Sequence, residues 1–209
     1  MAIDRGQRHF LLRRLHSLSG VLPIGAYMVF HVYLANAAIL AGPEAFDWVS
    51  HTLESIPWFM LLLIEIFVLW LPIGFHGVYG LFIVSEAAHN FAAYGYVRNV
   101  AYSLQRVTGV VAFGFLAFHM YTTRFYNYAF GVPINYDTMH GWMSNPIVFV
   151  VYLVGVLSAV FHLTNGISTF CITWGITVGA QAQQAVFRAC TALFVAMGAG
   201  GVMIVAAFR

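Results

Sequence analysis

Four histidines lie inside otherwise apolar stretches of this chain, each directly after a phenylalanine: Phe30-His31, Phe75-His76, Phe118-His119 and Phe161-His162. Successive histidines are 45, 43 and 43 residues apart. An imidazole can bind a metal through one ring nitrogen while the other makes a hydrogen bond. Burying one in a bilayer is costly, which makes an intramembrane histidine a functional candidate first. Four at matched spacing, one per apolar stretch, supply two axial pairs for two haems. The haems would be held non-covalently, because no Cys-x-x-Cys-His occurs. An iron–sulfur cluster is not expected, since Cys171 and Cys190 fall short of the roughly four thiolates it takes.

The elements that must carry these histidines follow from composition. The chain has 209 residues, of which 61% are hydrophobic and only 8% charged, and it contains no lysine. A soluble domain carries about a quarter charged residues. This chain is therefore expected to be one integral-membrane domain over 1–209, packed against lipid and with no nucleic-acid partner. Each span needs about 20 apolar residues. Five stretches qualify, at about 15–40, 57–85, 103–127, 146–173 and 186–207, numbered I to V. The expected fold is all-α, five transmembrane helices, with I–IV forming an up-down bundle around the haems. The segments between spans read as loops. The first residues lack an apolar core with a small-residue cleavage site and read as a retained cytoplasmic leader. No Gly-rich nucleotide fingerprint appears, so flavin or nicotinamide chemistry is expected from another subunit.

Arginine sets the orientation. With the N-terminus inside, Arg5, Arg8, Arg13, Arg14, Arg98, Arg106 and Arg188 fall on the inner side and Arg124 and Arg209 on the outer. That satisfies the positive-inside rule, with the C-terminus outside. Helix rise then puts His31 and His119 roughly 24 Å from the inner ends of their spans, and His76 and His162 roughly 14–17 Å. Internal echoes give the same grouping. Ser19-Gly20-Val21 and Phe30-His31 parallel Thr108-Gly109-Val110 and Phe118-His119, offset by one residue; His76-x3-Gly80 parallels His162-x3-Gly166. The expected pairs are thus His31 with His119 (outer haem b) and His76 with His162 (inner haem b). Gly25, Gly80, Gly114 and Gly166 are expected to give the porphyrins clearance.

Two further residues have two readings each. His16, at the inner end of span I, is either an interfacial anchor or a contact to a haem propionate or quinone. Glu65, inside span II, is either a proton-transfer group or a carboxyl bonded to a neighbouring helix. His9, His51, His89 and His140 fall in the leader or in loops and are expected to be solvated.

The leader Arg13-Arg14-Leu15-His16-Ser17-Leu18-Ser19-Gly20, the five spans and the four helix-borne histidines together resemble the cytochrome b membrane anchor of succinate:quinone oxidoreductases, succinate dehydrogenases and fumarate reductases. The type resembled is the single-polypeptide, five-helix, dihaem one, and the resemblance covers essentially the whole chain. It implies a bacterial cytoplasmic-membrane protein carrying a flavoprotein subunit and an iron–sulfur subunit on its cytoplasmic side. It implies electron exchange with a quinone, often menaquinone, at a site towards the outer face, where some members have a helix II glutamate, here matched to Glu65. Other families remain open on sequence: the anchor of a quinone-linked formate dehydrogenase or hydrogenase, and a haem-free transporter or scaffold.

Overall fold

The computed structural model describes residues 5–88 and 92–209; His89 lies outside them. Among the described residues the regular structure is helical throughout, and five helices are long and apolar enough to cross a membrane. We number the helices α1 (Gly6–Ala41), α2 (Pro43–Glu54), α3 (Trp58–Ser85), α4 (Val97–Phe130), α5 (Tyr136–Met143), α6 (Pro146–Thr173) and α7 (Ala180–Ala207). Spans I–V correspond to α1, α3, α4, α6 and α7.

Local chemistry sets the ends. Pro146 opens α6 at its first turn, and the Asn145 side chain accepts from the Ile147 amide. Asn135 caps α5 by accepting from the Thr138 amide. Gly131, with φ 65°, ends α4 in a left-handed conformation closed to most side chains. Three helices overrun the expected spans, α1 and α7 at their starts and α4 at both ends. Hydropathy marks only hydrocarbon depth, whereas a helix keeps its hydrogen bonds on into the headgroup region. The leader is accordingly helical from Arg5.

The segments expected as loops on either side of α3 and α4 hold α2 and α5 at one end of the bundle. Phe46 of α2 meets Phe208 edge-on at 4.8 Å between ring centres, and Met143 of α5 is fully buried nearby. Asp47 accepts from the Tyr136 amide at 2.6 Å, tying the two short helices together. This capped end is the far end; the opposite one, carrying the N-terminus, is the leader end.

α1 adjoins α3, α3 adjoins α4, α4 adjoins α6, and α6 closes the ring against α1. The diagonals of this four-helix bundle are therefore α1/α4 and α3/α6. α7 packs outside, along α6 and the far-end half of α1. α3 is the most lipid-facing element, with no buried residue in its apolar window.

α1 is not a uniform α-helix. Gly20–Gly25 and Phe30–Ala35 are π-helical and Asn36–Ala41 is 3₁₀. Pro23, which has no N–H to give, sits in the first π segment. A π turn holds one residue more than an α turn. α4 is regular from Val97 to Met120. The one-residue offset between the two halves of the repeat thus has a physical seat: eleven residues of α1 separate Gly20 from His31, ten of α4 separate Gly109 from His119, and the π turn absorbs the difference.

Candidate functional site

The four Phe-His histidines meet in two pairs, one on each diagonal. His31 of α1 and His119 of α4 have ring centres 5.7 Å apart with planes at 65°. His76 of α3 and His162 of α6 are 5.9 Å apart at 88°. All four are half-buried on membrane-spanning helices, where lipid offers no hydrogen bonds and polar atoms must be satisfied within the protein.

At the leader end each imidazole is held by a backbone carbonyl. His76 Nδ1 donates to the His16 carbonyl at 2.9 Å, and His162 Nδ1 donates to the Gln105 carbonyl at 2.9 Å. A carbonyl can only accept, so both Nδ1 atoms carry the proton and both Nε2 lone pairs are free. Such approach to a helix carbonyl requires a bare position four residues on. A Cβ on Gly109 would stand 2.7 Å from His162 Cε1, and one on Gly20 would overlap the same atom of His76. His16/Gly20 and Gln105/Gly109 occupy matching places in the repeat.

The glycines singled out from sequence have varied surroundings. Gly80 faces the His16 ring and Gly166 the Gln105 amide, while Gly25 is crossed by Leu163 and Gly114 opens onto free space. The close approaches belong to Gly20 and Gly109, which the repeat had already paired.

His16 lies at the leader-end pair, its ring stacked on that of His76 at 3.9 Å and 9°. The far-end pair is held by aromatic rings and hydroxyls. Tyr27 stacks on His31 at 5.5 Å and Phe115 on His119 at 5.8 Å, each one turn before its histidine. Buried Tyr152 brings its hydroxyl to 3.3 Å from His119 Nδ1 and 3.0 Å from Thr122 Oγ1.

Glu65 is not isolated. Its Oε1 meets Arg124 Nη2 of α4 at 2.6 Å, with side chains only 12% and 21% exposed. Arg124, assigned from sequence to the outer aqueous side, is thus drawn back into the bundle, five residues beyond His119. The other histidines are mixed. His51 is exposed, but His9 faces Glu86 at 3.4 Å and His140 Nδ1 donates to the Phe208 carbonyl at 3.1 Å. His9 thus keeps 38% of its side chain exposed while facing Glu86, whereas His140 is half-buried against the C-terminal turn because the far-end loop is helical and packed.

Sequence reasoning missed Gln105 and Asn165. The Gln105 amide donates to the His162 carbonyl at 2.9 Å and accepts from Asn165 Nδ2 at 2.7 Å. Their signal was present: both are polar residues within apolar spans, and Gln105 stands four before Gly109 as His16 stands four before Gly20.

Among the described residues no three His, Cys, Asp or Glu converge on one point; the histidines offer pairs. Pairs are what a haem uses, since the porphyrin fills the iron's other positions. A metal–imidazole bond of about 2 Å, plus about 1 Å from nitrogen to ring centre, puts two axial rings about 6 Å apart. Both pairs match that separation. The Nδ1–H to carbonyl bonds are also the arrangement that metal-bound histidines adopt almost universally.

Residues 97–202 match the family model described as "Succinate dehydrogenase/Fumarate reductase transmembrane subunit". A Bacillus subtilis (strain 168) protein described as "Succinate dehydrogenase cytochrome b558 subunit" is 39% identical over 203 residues, covering 97% of this chain and 98% of that one.

Proposed function

The chain belongs to the succinate dehydrogenase/fumarate reductase transmembrane subunits, and from that premise we propose that it binds two haems b and passes electrons between an iron–sulfur partner and a membrane quinone. Membership makes it an integral-membrane cytochrome b subunit of a succinate dehydrogenase complex, an oxidoreductase. It also removes the formate dehydrogenase, hydrogenase and transporter alternatives.

His76 and His162 would hold the leader-end haem and His31 and His119 the far-end one. When bound, the haems supply two one-electron carriers at different depths. The observation that carries this reading is the meeting of the four histidines as two facing pairs on the two diagonals. The protein's own part is orientation and exclusion. The carbonyls of His16 and Gln105 hold the leader-end imidazoles in the Nδ1–H form, Tyr152 steadies His119, and the apolar helices keep water from all four. His16, stacked on His76, would bound the leader-end haem or meet its propionate.

The flavoprotein and iron–sulfur partners would dock at the leader end, which would face the cytoplasm with the C-terminus outside. Seven of the nine arginines lie on that side in the orientation proposed. Among them, Arg14 lies 4.1 Å over the Trp174 ring and Arg106 3.3 Å over that of Tyr102, as expected where a charge meets the headgroup region. A quinone, menaquinone by the family resemblance, would react at the far end. There Glu65, oriented by Arg124, would accept or release the proton that accompanies each electron.

Replacement of each histidine by alanine in the assembled complex tests the assignment. His76→Ala and His162→Ala should each remove the same one of two spectral and redox components, and His31→Ala and His119→Ala the other. Loss of one shared component in His31→Ala and His162→Ala would refute the pairing.

A further inference from the structure

The two imidazoles of the leader-end pair are not held alike. Both rest on a carbonyl over a bare glycine, but His76 has the flat His16 ring beside it at 3.9 Å. His162 instead has a polar brace. Gln105 gives its carbonyl to His162 Nδ1 at 2.9 Å, while its amide Nε2 lies 3.2 Å from that same Nδ1 and donates to the His162 carbonyl at 2.9 Å. Asn165, one turn beyond His162 on α6 and 8% exposed, donates to Gln105 Oε1 at 2.7 Å. Asn165 and the His162 carbonyl together decide which way the Gln105 amide faces: oxygen to Asn165, nitrogen to the histidine. Nothing in the repeat calls for a second clamp, since His16 at the matching place has no counterpart to it.

We propose, on the reading that His76 and His162 ligate a haem, that Gln105 is a positioning residue which sets the reduction potential of that haem through His162, and that Asn165 fixes the orientation in which it does so. An acceptor on Nδ1–H makes the imidazole a stronger donor to iron, which favours the ferric form and lowers the potential. The amide nitrogen, a donor 3.2 Å from Nδ1, opposes that effect and limits it. The Gln105 side chain therefore holds the potential above the value that the carbonyl alone would give. It also locks the His162 plane against that of His76.

Substitution with redox titration and low-spin ferric EPR of the purified complex tests this, because the largest g value depends on the angle between two axial imidazole planes. Gln105→Glu puts an acceptor where the amide donor now stands and should shift the leader-end haem to lower potential. Asn165→Asp removes the donor to Gln105 Oε1, turns the amide over and should shift the same haem the same way, by less. Gln105→Leu should alter the EPR signal of that haem by freeing the His162 plane. In each variant the far-end haem should keep both its potential and its signal. If Gln105→Leu does not assemble, the two polar variants, which retain volume, carry the test. Equal shifts in both haems, or no shift in the leader-end haem of Gln105→Glu, would overturn the proposal. Absence of haem from the unaltered complex would instead remove the ligation reading, before any variant is compared.

Discussion

A bare Cα four residues after a helix carbonyl is what allows an imidazole from another helix to share that carbonyl. Gly20→Ala and Gly109→Ala each press a methyl group onto a proposed ligand ring. Overpacking of this kind costs about 1–3 kcal/mol, and here it falls on ligand geometry. Each should lower the content of the leader-end haem, measured per polypeptide, and leave the far-end haem in place; equal retention of both haems would show that the rings move aside freely. Glu65→Gln leaves Arg124 facing a neutral amide. Quinone-linked turnover should fall about a hundredfold or more, the loss typical of removing a positioned proton-transfer group, with haem content unchanged. Because an unpaired arginine is itself destabilising, the double variant Glu65→Gln/Arg124→Gln should recover any lost assembly without recovering turnover. A bond from Glu65 to a neighbouring helix was one of its two readings in the sequence, but its partner was illegible, since counting arginines by side assigns Arg124 to water. The histidine pairs were legible, since a repeat whose two halves carry histidines at matching places leaves little choice of partner.

Among the elements, α6 begins and ends where its sequence says, because Asn145 and Pro146 make an unmistakable start. α1 does not behave as hydropathy suggests: an apolar profile carries no information on whether a turn closes over four or five residues, so its two π segments had no visible signature beyond Pro23 and the broken offset of the repeat. That offset leads to an asymmetric expectation. Deleting Leu22, which is exposed within the first π segment, converts that turn to α and makes the spacing equal to that of α4. Both haems should survive. Deleting Val110 from the regular part of α4, whose own π segment at Tyr121–Phe125 lies beyond His119, rotates His119 by about 100° and should abolish the far-end haem alone. Reduced-minus-oxidised spectra of the two deletions decide between this account and one in which the π turn is incidental; loss of the far-end haem in both would favour the latter. Helices α2 and α5 were missed for a related reason. Their mixed polarity resembles a loop until Phe46, Phe208 and Met143 are seen packing together, a tertiary fact that no local pattern contains.

For the molecule as a whole, partner docking at the leader end predicts that cysteines introduced at the start of α1 or α7 become protected from labelling when the complex assembles, while those in α2 remain reactive. Reversal of that pattern would place the partners at the far end. The stacking of the pairs has a consequence of another kind. The leader-end rings lie against Gly20 and Gly109, and the far-end pair is His31 and His119 on the same two helices, about 15–17 Å farther along their axes by helix rise. The hydrocarbon layer is about 30 Å thick, so an electron exchanged between the layers crosses roughly half of it. Moving one charge through a full potential of 100 mV involves about 2.3 kcal/mol, and half of that is roughly 1.2 kcal/mol, about a sevenfold change in an equilibrium ratio. On the dihaem reading this subunit is therefore a voltmeter as well as a conductor. Imposing a diffusion potential of 100 mV on sealed vesicles should redistribute electrons between the two haem signals by about that factor, in opposite senses for opposite polarities, and an indifferent ratio would mean that the two pairs share a single electrical depth.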